Sequence, residues 1–333
     1  MDTFGSAILP AGAANVFALR PTQTSQPSLE LIFPEDGARD AITVLSITAE
    51  DAATALDVMV DDKERNLTSA ETLSDTGLKG AKIAVIEELF YGCDGGCGNQ
   101  SSFPPSLRVE HRLTEENRRV TGRFLVDLVS EIGSLRRRRI FDISGGLAPE
   151  VLDILNPQSS FSMACYSEEL DRFLLAGIES GAAVPYSNST QLLNSRAMDV
   201  NSRSKLRASL KLAPDCEEFR RNRTSARERL IQQLDLLFEE GVDAVLAMTN
   251  WDFPPPTNAT ELPIYQLSLA LTSELGYPAL VLPIGFSEPK SGAPDGLPIC
   301  AMLLAKHGNE KTLLRLAYAF NRRPPNRSSL PRE

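Results

Sequence analysis

Apolar residues recur at helical spacing in four stretches of this chain and gather into short unbroken runs in four others. Ala49, Ala52, Ala53, Leu56, Met59 and Val60 fall on one face of a helix predicted over 48–61, where Thr48 and Asp51 approximate a capping box. Val120, Phe124, Leu128 and Ile132 give a second helix over 114–132, and Ala226, Leu230, Leu234 and Leu237 a third over 219–238. The last, 309–320, carries Leu313, Leu316, Ala317 and Phe320 on one side and stops before Pro324 and Pro325. The runs 82–86, 244–248, 279–286 and 298–304 are apolar and set off by glycine or proline, as buried strands are. Strands alternating with amphipathic helices predict an α/β sheet with helices on its faces.

No repeat of 20–50 residues and no low-complexity linker divides the chain. It reads as one domain over 1–322, followed by a loose polar tail over 323–333. With 333 residues, 42% hydrophobic and 23% charged, the chain can bury a substantial core.

The formal net charge of −10 argues against nucleic acid, since displacing counterions from phosphates needs a basic surface. The one basic cluster, Arg136 to Arg139, reads as a solvated loop or helix end. No run approaches the roughly 20 apolar residues that cross a bilayer. Six triplets fit the N-glycosylation pattern, beginning at Asn66, Asn99, Asn188, Asn222, Asn258 and Asn326, more than chance predicts. They point to the secretory pathway; the alternative is coincidence in a cytoplasmic chain.

Five cysteines leave at least one unpaired, and Cys93 with Cys97, in a glycine-rich loop, could close a small disulfide. A zinc site would need further ligands, and the chain has only His111 and His307 besides. No metal or other cofactor is expected.

Two isolated histidines leave no conventional Ser-His-Asp triad, and no GxSxG elbow occurs. Two Ser-x-x-Lys spacings, Ser202 with Lys205 and Ser287 with Lys290, occur about as often as chance predicts. The opening segment is more specific. Asp2-Thr3-Phe4-Gly5-Ser6-Ala7-Ile8-Leu9-Pro10-Ala11, followed by Ala18-Leu19-Arg20-Pro21-Thr22, resembles the DTGGSIRxPA and GLKPT segments of the amidase signature family. Ile47 to Met59 is similar to that family's alanine-rich helix, and Leu78 to Val85 to its LKGLRIGV segment. Gly241 to Leu246 before Pro254 to Pro256, Leu271 to Phe286, Gly296 to Pro298 and Leu313 to Ala317 resemble its closing strands and helix.

The resemblance implies a mixed central sheet flanked by helices and hydrolysis of a small amide or ester through an acyl-serine. Ser6 stands at the nucleophile position, and the backbone N–H groups of Thr3, Phe4, Gly5 and Ser6 would form the oxyanion hole. In the family a second serine, held by a cis peptide in a GGSSGG-type loop, and a lysine lie before the nucleophile. Only five residues precede Ser6, so the family domain is expected to be N-terminally incomplete here and its activity impaired. Neither the pairs Ser101-Ser102, Ser159-Ser160 and Ser328-Ser329 nor Ser144-Gly145-Gly146 substitutes convincingly.

Within the motif, Phe4 replaces a glycine, which would cost about 1–2 kcal/mol if that position needed a left-handed backbone. Ile8 replaces an arginine and would leave Asp2 without a cationic neighbour. The alternative to an amidase is a catalytically silent binding or scaffolding protein of the same architecture; an amidotransferase component, which would need partner chains, is less favoured.

Overall fold

The computed structural model describes residues 1–23, 39–59, 69–90, 115–139, 151, 154–155, 164–249, 267–287 and 296–321. In chain order the strands are β1 (Phe17–Arg20), β2 (Val44–Ser46), β3 (Lys82–Ile86), β4 (Ser134–Arg138), β5 (Ala244–Met248), β6 (Ala279–Phe286) and β7 (Pro298–Leu304). The helices are α1 (Ile8–Ala13), α2 (Ala49–Met59), α3 (Glu87–Phe90), α4 (Glu115–Val129), α5 (Tyr166–Glu179), α6 (Ser189–Asn194), α7 (Val200–Leu212), α8 (Cys216–Glu239), α9 (Leu267–Leu275) and α10 (Glu310–Asn321).

One seven-stranded sheet runs β2-β1-β6-β7-β5-β3-β4. It is mixed, as expected: β5, β3 and β4 pair in parallel, and the remaining neighbours are antiparallel. Apolar side chains of alternate strand positions serve opposite faces. One face is covered by α2, α4 and α10, through Leu56, Phe124, Leu128, Leu313 and Leu316. The other is covered by α1, α8 and α9, through Ile8, Leu230, Leu234, Leu237 and Leu269. The third cluster lies off the sheet, where Tyr166, Leu170 and Leu174 of α5 meet Leu206 of α7.

The four predicted strands and four predicted helices are present, with helix ends shifted by up to three residues. Arg136 to Arg138, expected in a loop or helix end, instead form β4, at the sheet edge. The run is tolerated because Arg136 and Arg138 reach Glu240 at 2.9 and 2.7 Å, and a charged edge strand resists pairing with other chains. Cys165 and Cys216 form a disulfide across 51 residues, a pairing the spacing did not suggest, and Cys300 is free and buried. Cys93 and Cys97, His111 and the 323–333 tail lie outside the described residues. Among the described residues no helix is long and apolar enough to cross a membrane.

Candidate active site

Ser6 is the exposed residue of an otherwise largely buried turn that leads into α1, on the sheet face that carries α8 and α9. The turn is organised from one end by Asp2. Its backbone forms a two-way bridge with Ala41, at 2.8 and 2.9 Å, and its buried carboxylate folds back on the turn. Oδ1 accepts the Gly5 N–H at 3.0 Å, and Oδ2 accepts those of Ala7 and Ile8 at 2.9 and 3.1 Å. These last two are N–H groups at the start of a helix, which have no intrahelical partner and whose positive end favours a carboxylate. Ala7, at the N-cap, has no side chain to do this, so Asp2 caps α1 from five residues back.

The glycine requirement falls one residue later than Phe4. Gly5 has φ +96°, and a Cβ there would lie 2.8 Å from Leu269 Cδ1, whereas among the described non-glycine residues only Asn15 has positive φ. Phe4 therefore carries no left-handed strain. Its ring packs on the α8/α9 face and lies 5.1 Å beneath the Arg39 guanidinium, a cation–π contact.

Nor does Asp2 lack a cation. Ile8 is buried among apolar neighbours, and the positive charge comes instead from Arg20 of β1, whose Nε lies 3.4 Å from Asp2 Oδ1. Both side chains are fully buried. Burial pulls the Arg20 pKa below its ordinary value, opposed by Asp2 and Asp40. Arg20 also donates through Nη2 to the Arg39 carbonyl. Arg39 pairs with Glu274 of α9 and donates to the Ile154 carbonyl at 3.0 Å, and Arg223 of α8 reaches the same Glu274 at 3.2 Å. Thr3 Oγ1 closes the array by donating to Asp40 at 2.6 Å. Three buried carboxylates, Asp2, Asp40 and Glu274, thus share the interior with three guanidiniums, Arg20, Arg39 and Arg223. Balance of this kind is what makes buried charge tolerable.

Of the four backbone amides expected to form an oxyanion hole, that of Gly5 is directed at Asp2 in this state, and Ser6 is the residue of the four that is exposed. Ser6 Oγ donates to the Met1 carbonyl at 3.2 Å. A carbonyl oxygen accepts a hydrogen bond but cannot take up a proton at neutral pH. His307 is exposed in a turn, its ring edge-on to Tyr277.

The exposed serine, the carboxylate-capped turn and the mixed sheet define an α/β protein with a serine-bearing helix lead-in. No protein-family profile matches the chain. The A subunit of the glutamyl-tRNA(Gln) amidotransferase from Chlorobium luteolum is 26% identical over 357 residues, which cover 99% of this chain and 64% of that protein. Its counterpart from Prosthecochloris aestuarii is 25% identical, with 96% and 63% covered. The chain thus spans just under two thirds of the length of these curated relatives. Among solved structures, an amidase family protein from Bacillus anthracis superposes with a TM-score of 0.66 at 22% identity, over 97% of this chain and 57% of that one. The peptide amidase of Stenotrophomonas maltophilia gives 0.64 at 17% identity, over 96% and 60%. The chain shares the amidase signature fold of these structures, the mixed sheet flanked by helices that its opening motif implies.

Proposed function

We propose that the chain is amidase-like, with Ser6 as the nucleophile that cleaves a carbon–nitrogen amide bond. The observation that carries this is the exposed Ser6 on a turn whose backbone is fixed by Asp2, at the position the motif reserves for the nucleophile. In the reaction Ser6 Oγ adds to the amide carbonyl, the amine departs with a proton, and water releases the acid from the acyl-serine. The negative charge on the carbonyl oxygen would be met by backbone N–H groups of the Thr3 to Ser6 turn.

The hydroxyl needs a base, and the partner of Ser6 Oγ among the described residues is the Met1 carbonyl. Loss of general-base assistance removes about 10²–10⁴-fold in rate. Acting alone, these 333 residues are therefore proposed to turn over slowly, and a silent binding or scaffolding role is the second reading that the same hydrogen bond favours. Relatives named as the A subunit of an amidotransferase make an amidotransferase component a further reading, one that would need partner chains. The substrate class is a small amide or ester, with no metal or cofactor taking part.

The test is release of ammonia or amine from a panel of simple amides, by the chain and by Ser6→Ala. Any hydrolysis is expected to vanish in Ser6→Ala. Hydrolysis that survives the substitution refutes the assignment of Ser6.

A further inference from the structure

Helices α5, α6 and α7 form an excursion from the sheet, closed at its neck by the disulfide between Cys165, just before α5, and Cys216, the first residue of α8. The excursion has its own small core, Tyr166, Leu170, Leu174 and Leu206, with Val184 and Leu192 packed around it. The fold therefore brings together two cysteines 51 residues apart, a pairing that persists in oxidising compartments and is rare in reducing ones.

Inside the disulfide loop lies the triplet Asn188-Ser189-Thr190. Asn188 is the N-cap of α6, in extended conformation, and its Oδ1 accepts the Gln191 N–H at 2.9 Å. With the side-chain oxygen held against the helix, Nδ2, the atom that a glycan would occupy, makes no hydrogen bond among the described residues. Asn188 is half-buried and Thr190 exposed. The adjoining backbone is fixed as well: the Ser189 N–H donates to Asp171 of α5, and Val184 lies against Gly177 of the same helix. Asn188 thus sits beside the α5 face on which Asp171, Leu175 and Ile178 follow at i, i+4 and i+7. Leu175 and Ile178 on that face are exposed.

The other described triplet, at Asn222, is set differently. Asn222 is exposed in the second turn of the 24-residue α8, and the Thr224 hydroxyl donates to the Arg220 carbonyl within that helix. Asn66, Asn99, Asn258 and Asn326 lie outside the described residues.

We propose that Asn188 carries an N-linked glycan, and that the helical excursion matures, with Cys165 and Cys216 joined, in an oxidising compartment. The sugar extends from the N-cap over the α5 face and shades Leu175 and Ile178, a surface role suited to a bulky hydrophilic group. The disulfide and the acceptor asparagine are separate observations that lead to the same compartment.

The test uses protein isolated from its own cells. Enzymatic release of N-glycans in heavy-oxygen water converts each glycosylated asparagine to labelled aspartate, and a peptide map without reduction reads the cysteines. The expected result is label at Asn188 and a linked peptide joining Cys165 to Cys216. Asn188→Gln, made in the same cells, is expected to lose the mass of one glycan and to keep the linked peptide. The proposal is overturned by an unlabelled Asn188 peptide, by label confined to other asparagines, by Asn188→Gln of unchanged glycan mass, or by Cys165 and Cys216 alkylated without prior reduction. None of these readings depends on hydrolytic activity.

Discussion

Arg20→Met removes the guanidinium beside Asp2 while filling much of its volume. Asp2 and Arg20 are both fully buried, 3.4 Å apart, and Asp40 also acts on Arg20. Removing one partner of a buried ion pair leaves an uncompensated charge and costs about 3–5 kcal/mol. The Arg39 carbonyl loses a donor as well, which places the expected loss at the upper end of that range. Thermal or urea unfolding measures the total. The more specific readout is a double-mutant cycle with Asp2→Asn, which keeps an acceptor for the turn but removes the charge. Without either charge the pair costs less than the sum of the single changes, so a coupling of about 1.5–3 kcal/mol is expected. Arg20→Lys keeps the charge and should fall between the wild type and Arg20→Met. The reasoning is refuted if Arg20→Met costs less than about 1 kcal/mol, or if the two changes add without coupling.

Gly5→Ala forces a side chain into a left-handed position and against Leu269, and should cost about 2–4 kcal/mol by denaturant unfolding, with the largest gain in hydrogen exchange at the Ala7 and Ile8 amides. Burial pushes the Cys300 thiol up to about 12, so in folded protein at pH 8 it should resist alkylation and react once the chain is unfolded. Burial, with the hydrogen bond to Asp235, raises the Tyr277 pKa above its usual value of 10.0, so the protonated phenol is favoured in the folded state. Its contribution to stability is present below pH about 10 and is lost as pH climbs from there towards the folded value; Tyr277→Phe should flatten that alkaline decline in a pH series of melts. Cys165→Ser with Cys216→Ser should lower stability by about 2–5 kcal/mol, and limited proteolysis should then cut first within 166–215.

What could be read ahead of the structure depended on how local its cause was. The strands over 82–86, 244–248, 279–286 and 298–304 are buried apolar runs, and burial on both faces leaves that mark in the sequence itself. β4 reads SLRRR and owes its strand conformation to pairing with β3, with its charge offset by Glu240. β1 and β2, of four and three residues, are too short to show a period. The helices α5 to α7 pack mainly on one another, and their faces went unread.

The site divides in the same way. Asp2, Gly5 and Ser6 lie within five residues of one another and were visible as a motif. Arg20, Arg39, Arg223 and Glu274 come from four distant segments, and no spacing rule joins Arg39 to a glutamate 235 residues away. One signal was available: Arg20 directly follows the apolar Phe17-Ala18-Leu19, and a charge in such a setting calls for a partner. Two motif changes that look damaging in isolation, Phe4 and Ile8, fit because the ring meets Arg39 and the charge comes from β1.

The central assignment, Ser6 as nucleophile, is tested most directly by treating the chain with an activated ester, whose good leaving group lessens the need for a base, and mapping the acyl group by mass spectrometry. The account predicts an acyl adduct on Ser6, formed faster as pH rises and missing from Ser6→Ala. Acylation that is unchanged in Ser6→Ala, or that leaves Ser6 unmodified in the wild type, would contradict it.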